Sequence, residues 1–208
     1  KEPGIVDKGT AVCDWDDMEK ELKHSLDVGI TGFTTHGKHI NLLDTPGYPD
    51  FLGRALSVLS AVETTAIVVN AENGIEPLTQ RMWKAADQRN HCRMLIVNRI
   101  DADGVDLGAL TAQLREAFGA ECLPINLPAD GGKRVIDCFF NPSGDGADFA
   151  SVEEAHSQII DQVVEVDEEL MERYLEQGQA LKPEQLHDAF EEALREAHLV
   201  PICFCSAA

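Results

Sequence analysis

The sequence predicts an α/β fold: a mainly parallel sheet flanked by helices. Three features of the 208 residues lead there. Short apolar runs that end in turn-forming residues alternate with segments of helical periodicity. A β-branched run at 65–70 has the composition of a strand covered on both faces. Residue groups suited to ligand chemistry, around Asp44, Asn98 and Ser206, all fall at the carboxyl ends of predicted strands, where ligands gather on parallel sheets.

Residues 1–27 are polar and carry charges of both signs, which reads as a solvated loop or short helix. Residues 28–34 alternate loosely, and His36-Gly37-Lys38 turns them into a second strand. That strand, with Ile40, Leu42 and Leu43, reads as buried, so a hairpin is predicted. After the break at Asp44-Thr45-Pro46-Gly47, Leu52, Ala55, Leu56, Leu59 and Val62 recur at helical spacing and form a core face. The strand at 65–70 is broken by Glu72-Asn73-Gly74, and Pro77 opens a helix with Leu78, Met82, Ala85 and Ala86 on its apolar side. Strand 94–97, helix 107–118 and strand 122–126 repeat the pattern, which implies right-handed crossovers. From Leu127 the rhythm stops. Asp130-Gly131-Gly132 and the apolar 135–140 predict a second hairpin, and residues 141–148 are rich in Gly, Ser and Asp. Two amphipathic helices follow, at 152 to about 176 (Ile159, Ile160, Val163, Leu170, Tyr174) and at 183–198 (Leu186, Phe190, Leu194), before a last strand at 200–205. The acidic 165–176 face reads as solvated surface.

An apolar fraction of 44% and a charged fraction of 26% belong to an ordinary globular chain, long enough for one domain with a small insert. No apolar run approaches the roughly 20 residues of a membrane span, and the amino end has no signal-peptide core, so a cytosolic setting is expected. A net charge of −20 speaks against gripping nucleic acid by its phosphates. Of six cysteines, Cys92, Cys122, Cys138 and Cys203 sit in or beside apolar strands and read as buried thiols. Cys203 and Cys205 alternate faces, so their thiols point apart. Zinc or a disulfide is the competing reading.

Asp44 ends a strand, where its carboxylate can hold a metal or its water, and Gly47 lets a main-chain N–H approach a phosphate. Alone, Asp44-x-x-Gly47 also fits ordinary strand punctuation, and Asn98-x-x-Asp101 a turn capped by its own side chains. Asp-x-x-Gly, Asn-x-x-Asp and Ser206-Ala207 in that order, each closing a strand, resemble the guanine-nucleotide motifs of translational GTPases. The resemblance is strongest to elongation factor G and its elongation factor G-like paralogues, in which Tyr follows the glycine as Tyr48 does here. It extends through nearly the whole chain.

The resemblance implies a P-loop-NTPase-like fold, with residues 1–127 and 199–208 as the GTPase core and 128–198 as the insert carried before its last strand. Asp101 would accept from the guanine N1–H and amine, Asn98 would meet the other edge, and Ser206-Ala207 would border the guanine oxygen. Arg99 replaces the usual Lys whose stem packs along the base. Asp44 would reach Mg²⁺ through water and the Gly47 N–H would sense the γ-phosphate. Ser25 stands for the Thr that completes the metal shell, although Leu22-Lys23-His24 before it depart from the usual Arg-Gly-Ile. Tyr48 replaces the His that orients the attacking water. Being a neutral phenol, it implies slow or differently triggered turnover.

No Gly-x-x-x-x-Gly-Lys-Ser/Thr occurs in the chain, and the resemblance puts that cradle and the first central strand before Lys1. The expectation is therefore a fragment that holds GTP and Mg²⁺ weakly or not at all. A gap between the strands at 39–43 and 65–70 would leave edges that invite self-association. The parent would bind GTP or GDP with Mg²⁺, hydrolyse GTP and act on the ribosome through other domains, without membrane contact. Two alternatives remain: a GTPase release factor or ribosomal-protection protein, and a nucleotide-gated ribosome-binding scaffold with little hydrolysis.

Overall fold

The computed structural model describes residues 4–177 and 183–207. Residues 1–3 of the polar opening segment, 178–182 between the two predicted helices, and 208 at the end of the predicted core lie outside the described residues. The chain divides into two compact units, Lys1–Val62 and Glu63–Ala208.

In the first unit the polar segment holds a short helix, one of the two forms its composition predicts. Helix α1 (Asp17–Leu22) starts at a capping box, in which the Met18 N–H donates to Asp16 at 2.8 Å and the Asp16 N–H to Glu19 at 3.1 Å. Strands β1 (Gly29–Thr35) and β2 (Lys38–Asp44) pair antiparallel from Gly29↔Asp44 to Thr35↔Lys38. Their connection runs through His36 at φ 47° and Gly37 at φ 74°, both left-handed as a two-residue type I′ turn requires. The hairpin is as predicted, but the burial expected of β2 is not. Ile40 and Leu42 are 37% and 47% exposed, because β1 and β2 form a two-stranded sheet of their own. Helix α2 (Leu52–Val58) buries Ala55, and the turn after it buries Leu59, on the predicted face.

The second unit runs through β3 (Thr64–Asn70), α3 (Pro77–Asp87), β4 (Cys92–Asn98), α4 (Leu107–Phe118), β5 (Cys122–Pro124), β6 (Asn126–Ala129) and β7 (Arg134–Asp137). It continues with α5 (Val152–Val164), α6 (Glu168–Gln177), α7 (Pro183–Arg195) and β8 (Val200–Phe204). Its four-stranded sheet, ordered β3-β4-β8-β5, is parallel throughout. Leu95, Val97, Ile202 and Phe204 pack with Trp83, Leu110, Leu114 and Phe118 of α3 and α4. One expectation needs correcting here. β3 is covered on one face only: Ile67 and Val69 lie in the core with Trp83 of α3 and Thr65 on their face is buried, while Val68 on the opposite face is 60% exposed. On helix α3, Ala85 and Ala86 are buried and Met82 packs on the core as predicted, joined by Thr79 and by Trp83, whose ring stacks on Phe118 at 4.5 Å.

A second apolar core includes Ile136, Val152, Ile159, Val163 and Leu186 and takes in Leu127 and Leu199 from the flanking chain. The β6–β7 hairpin turns through Asp130, Gly131 and Gly132, all at positive φ, and the Asp148 carboxylate accepts the two glycine N–H groups at 3.0 and 2.9 Å. The long helix predicted from 152 is two helices. Asp167 accepts the Leu170 N–H at 3.0 Å and so starts α6 as a new helix. All six cysteines are free thiols, and burial pushes Cys122 up to about 12 and Cys138 and Cys203 to about 11. No helix among the described residues is long and apolar enough to cross a membrane.

Candidate functional site

At the carboxyl end of the parallel sheet, the turn after β4 and the turn after β8 are tied by side chains. Asn98 Oδ1 accepts the Arg99 N–H at 2.8 Å and the Ala207 N–H at 2.9 Å, with the Cys205 thiol at 3.8 Å. The Ser206 hydroxyl donates to the Asp101 carboxylate, and the Cys205 N–H donates to the Val97 carbonyl at 2.9 Å. Four of the residues singled out in the sequence, Asn98, Asp101, Ser206 and Ala207, therefore meet in one network. The Ser206 hydroxyl foremost, then the main-chain N–H of Asp101 and the Arg99 guanidinium, hold the Asp101 carboxyl below the usual carboxylate range. Among the described residues the Asn98 amide nitrogen has no partner, which leaves an N–H donor on the same turn as an ionised acceptor. Arg99 sits at φ 63°, and its guanidinium pairs with Glu72 at 2.9 Å. Glu72 follows Ala71, whose N–H donates to the Asn98 carbonyl at 3.0 Å, so the loop after β3 supports the one after β4. No spacing in the sequence signals this Glu72 contact.

In the first unit, Asp44 is the last residue of β2. Although Asp44 is exposed, chain crowded around it strips part of its hydration, and this first, then the nearby carboxylates of Asp14 and Glu19, raise its carboxyl above the usual range, opposed by hydrogen bonds from the Cys13 thiol and the Thr45 N–H. Gly47 stands in open space, since a Cβ there would meet nothing within 4 Å, and Tyr48 beside it is 52% exposed. Ser25 lies half-buried in the loop after α1, and its carbonyl is 3.3 Å from His24 Nδ1. The His24 ring rests on the Tyr48 ring, with centroids 4.4 Å apart and a tilt of 40°.

Glu19 is the residue that reading the sequence missed. Only 3% exposed, its carboxylate accepts the N–H groups of Trp15 (3.0 Å), Asp16 (3.1 Å), Leu26 (2.9 Å) and Asp27 (3.1 Å), which pins the chain on both sides of Ser25. Dehydration raises its pKa, but it lies under a thin layer of chain and the four N–H bonds win, so the net direction is down. The signal available was Asp16-x-x-Glu19, a capping-box spacing. Glu19→Ala is expected to cost about 2 kcal/mol by orphaning these donors and to lower Tm by roughly 4–8 °C in calorimetry at pH 7. A lowered folded pKa means that the stabilisation is complete above the ordinary value of 4.5 and is lost as pH falls through the folded value. The gap between variant and wild type should therefore narrow below about pH 4.

Among the described residues, no three His, Cys, Asp or Glu side chains converge as a metal cage. The expected donors, the Ser25 hydroxyl and the Asp44 carboxylate, are hard oxygens in the same unit. Two such ligands fit magnesium, which takes one or two protein oxygens and completes its shell from phosphate and water.

Comparison with known proteins places these features in a family context. The family model described as the elongation factor Tu GTP binding domain matches residues 1–208. An elongation factor G-like protein of Thermotoga maritima is 30% identical over 216 residues, covering 98% of this chain and 32% of its own length. An elongation factor G of Fervidobacterium nodosum is 30% identical over 223 residues, covering 99% of this chain and 32% of its own length. A crystal structure of a Thermus thermophilus protein superposes with a TM-score of 0.83 at 33% identity, over 98% of this chain and 33% of that one. The chain thus spans about a third of the length of the relatives it matches.

Proposed function

The chain belongs to the elongation factor Tu GTP binding domain family, among translational GTPases of the elongation factor G kind, and from that membership we propose that it carries the guanine-recognition and magnesium-side elements of a GTP site. One observation carries the reading: Asn98 and Asp101 are locked to Ala207 and Ser206 across two strand ends. Asp101, ionised, accepts from the guanine N1–H and exocyclic amine. The Asn98 amide donates to the other edge, and Ser206-Ala207 borders the guanine oxygen. Arg99 lays its stem along the base while Glu72 holds its head.

Asp44, through water, and Ser25 would hold Mg²⁺, which would supply charge neutralisation at the phosphates. The Gly47 N–H meets the γ-phosphate, and Tyr48 flanks the water that attacks it. Residues 1–127 and 199–208 form the GTPase core and 128–198 an inserted subdomain; most of the second apolar core falls within 128–198, and Leu123, Leu127 and Leu199 join it to the sheet. The whole protein hydrolyses GTP in the cytoplasm to drive a step on the ribosome, and no Gly-x-x-x-x-Gly-Lys-Ser/Thr cradle occurs within these 208 residues.

Titration calorimetry with GDP tests this. The full-length protein should bind at micromolar affinity or better, Asn98→Ala should weaken it roughly tenfold or more, and the 208-residue chain should bind far more weakly than the full-length protein. Indifference to Asn98→Ala would leave a scaffold that ignores nucleotide. Micromolar affinity in the 208 residues would refute a displaced cradle.

A further inference from the structure

We propose that His24, seated on the ring of Tyr48, is the side chain that orients the attacking water in this protein. The inference rests on the proposed function, since it takes Asp44, Gly47 and Ser25 to border the γ-phosphate. Attack on that phosphate needs a water held by an acceptor at hydrogen-bond distance. Tyr48, next to Gly47, is a phenol and so a weak acceptor while neutral. An imidazole lies directly against it: the His24 and Tyr48 centroids are 4.4 Å apart.

Three observations point to His24 in that role. Its Nδ1 lies 3.3 Å from the Ser25 carbonyl, which can only accept, so Nδ1 is the donor and Nε2 is the ring nitrogen left for a water. Glu19 holds the next two N–H groups, of Leu26 and Asp27, which keeps the His24 loop in one conformation. The other histidines of the unit, His36 and His39, lie at the Thr35↔Lys38 end of the hairpin, whereas Asp44 pairs with Gly29 at the opposite end. Tyr48 then acts as the seat of the ring.

In the step itself, the water oxygen forms a bond to the γ-phosphorus. The bond from phosphorus to the β–γ bridging oxygen breaks, and GDP leaves with that electron pair. His24 Nε2 accepts a hydrogen bond from the water, and the proton shed by the water ends on the phosphate product or in solvent.

Steady-state GTP hydrolysis by the full-length protein provides the test. His24→Ala should lower kcat roughly tenfold or more while KM moves less than about threefold, and His24→Gln, which keeps an acceptor, should recover part of the loss. Tyr48→Leu should resemble His24→Ala, and the double variant should be no slower than either, because the two rings act as a unit. In the 208-residue chain, the His24 ring protons should carry an upfield NMR shift that Tyr48→Leu removes and Tyr48→Phe retains. A kcat untouched by His24→Ala, a loss confined to KM, or His24 resonances indifferent to Tyr48→Leu would overturn the inference while leaving the GTPase reading intact. Asp44→Asn with wild-type hydrolysis would defeat that reading and this inference with it.

Discussion

Asp101→Asn in the full-length protein is expected to weaken GDP by about 100-fold or more and to make xanthosine diphosphate the preferred ligand. The carboxylate offers two acceptor oxygens and no donor, which matches the N1–H and exocyclic amine of guanine. Asparagine keeps one acceptor and adds a donor. The Ser206 hydroxyl already donates to Asp101, so in the variant it claims the amide oxygen and turns the NH₂ toward the base. That NH₂ meets the guanine amine donor to donor but finds an acceptor in the 2-oxo group of xanthine. Losing a charge-assisted pair and leaving its partners unmatched costs about 3 kcal/mol, which is the stated factor. Competition of GDP and xanthosine diphosphate against a fluorescent GDP would measure it, with Tm as control, since Asp101 is exposed and its replacement should leave the fold unmoved. Weak binding of both nucleotides, with no gain for xanthine, would show that Asp101 does not face the base.

The placement of the strand-end residues was more legible than their surroundings. Asn98, Asp101 and Ser206 could be read because side-chain chemistry at strand ends survives in the sequence as spacing, and the βα rhythm fixes which strand ends share a rim. Burial of β2 and β3 could not be read in the same way. Apolar alternation shows which face a residue occupies but says nothing about what covers it, and Val68 and Leu42 are 60% and 47% exposed with the composition of buried strands. Contacts that support the site were hidden for a related reason. Glu72 reaches Arg99, and Glu19 reaches Leu26 and Asp27, across gaps that no local period spans. The break before α6 was visible in principle, since Asp167 is an N-cap residue type, but the helical period runs through it from Val163 to Leu170 without interruption.

The largest loss of stability is expected from Phe204→Ala, at about 3–5 kcal/mol, with Tm lowered by roughly 10 °C or more. Phe204 is 1% exposed and ends β8, the strand between β4 and β5. Its ring meets Phe149 edge-on, at 5.9 Å and 68°, so truncation opens a cavity under the strand end that carries Ser206 and Ala207. Its main chain is held independently of the ring: Asn126 accepts the Phe204 N–H at 2.7 Å and donates to its carbonyl at 3.1 Å, and Phe204 pairs with Val97. Loss of the ring should therefore lower stability without shifting register, and at low temperature the variant's full-length protein should keep wild-type preference for guanine over xanthine. Asn126→Ala separates the two roles, because it spares the ring and frees both main-chain groups. It should cost less in urea unfolding than Phe204→Ala yet weaken GDP binding more. The reverse ranking would mean that the ring, and not the Asn126 clamp, sets the position of the Ser206-Ala207 turn.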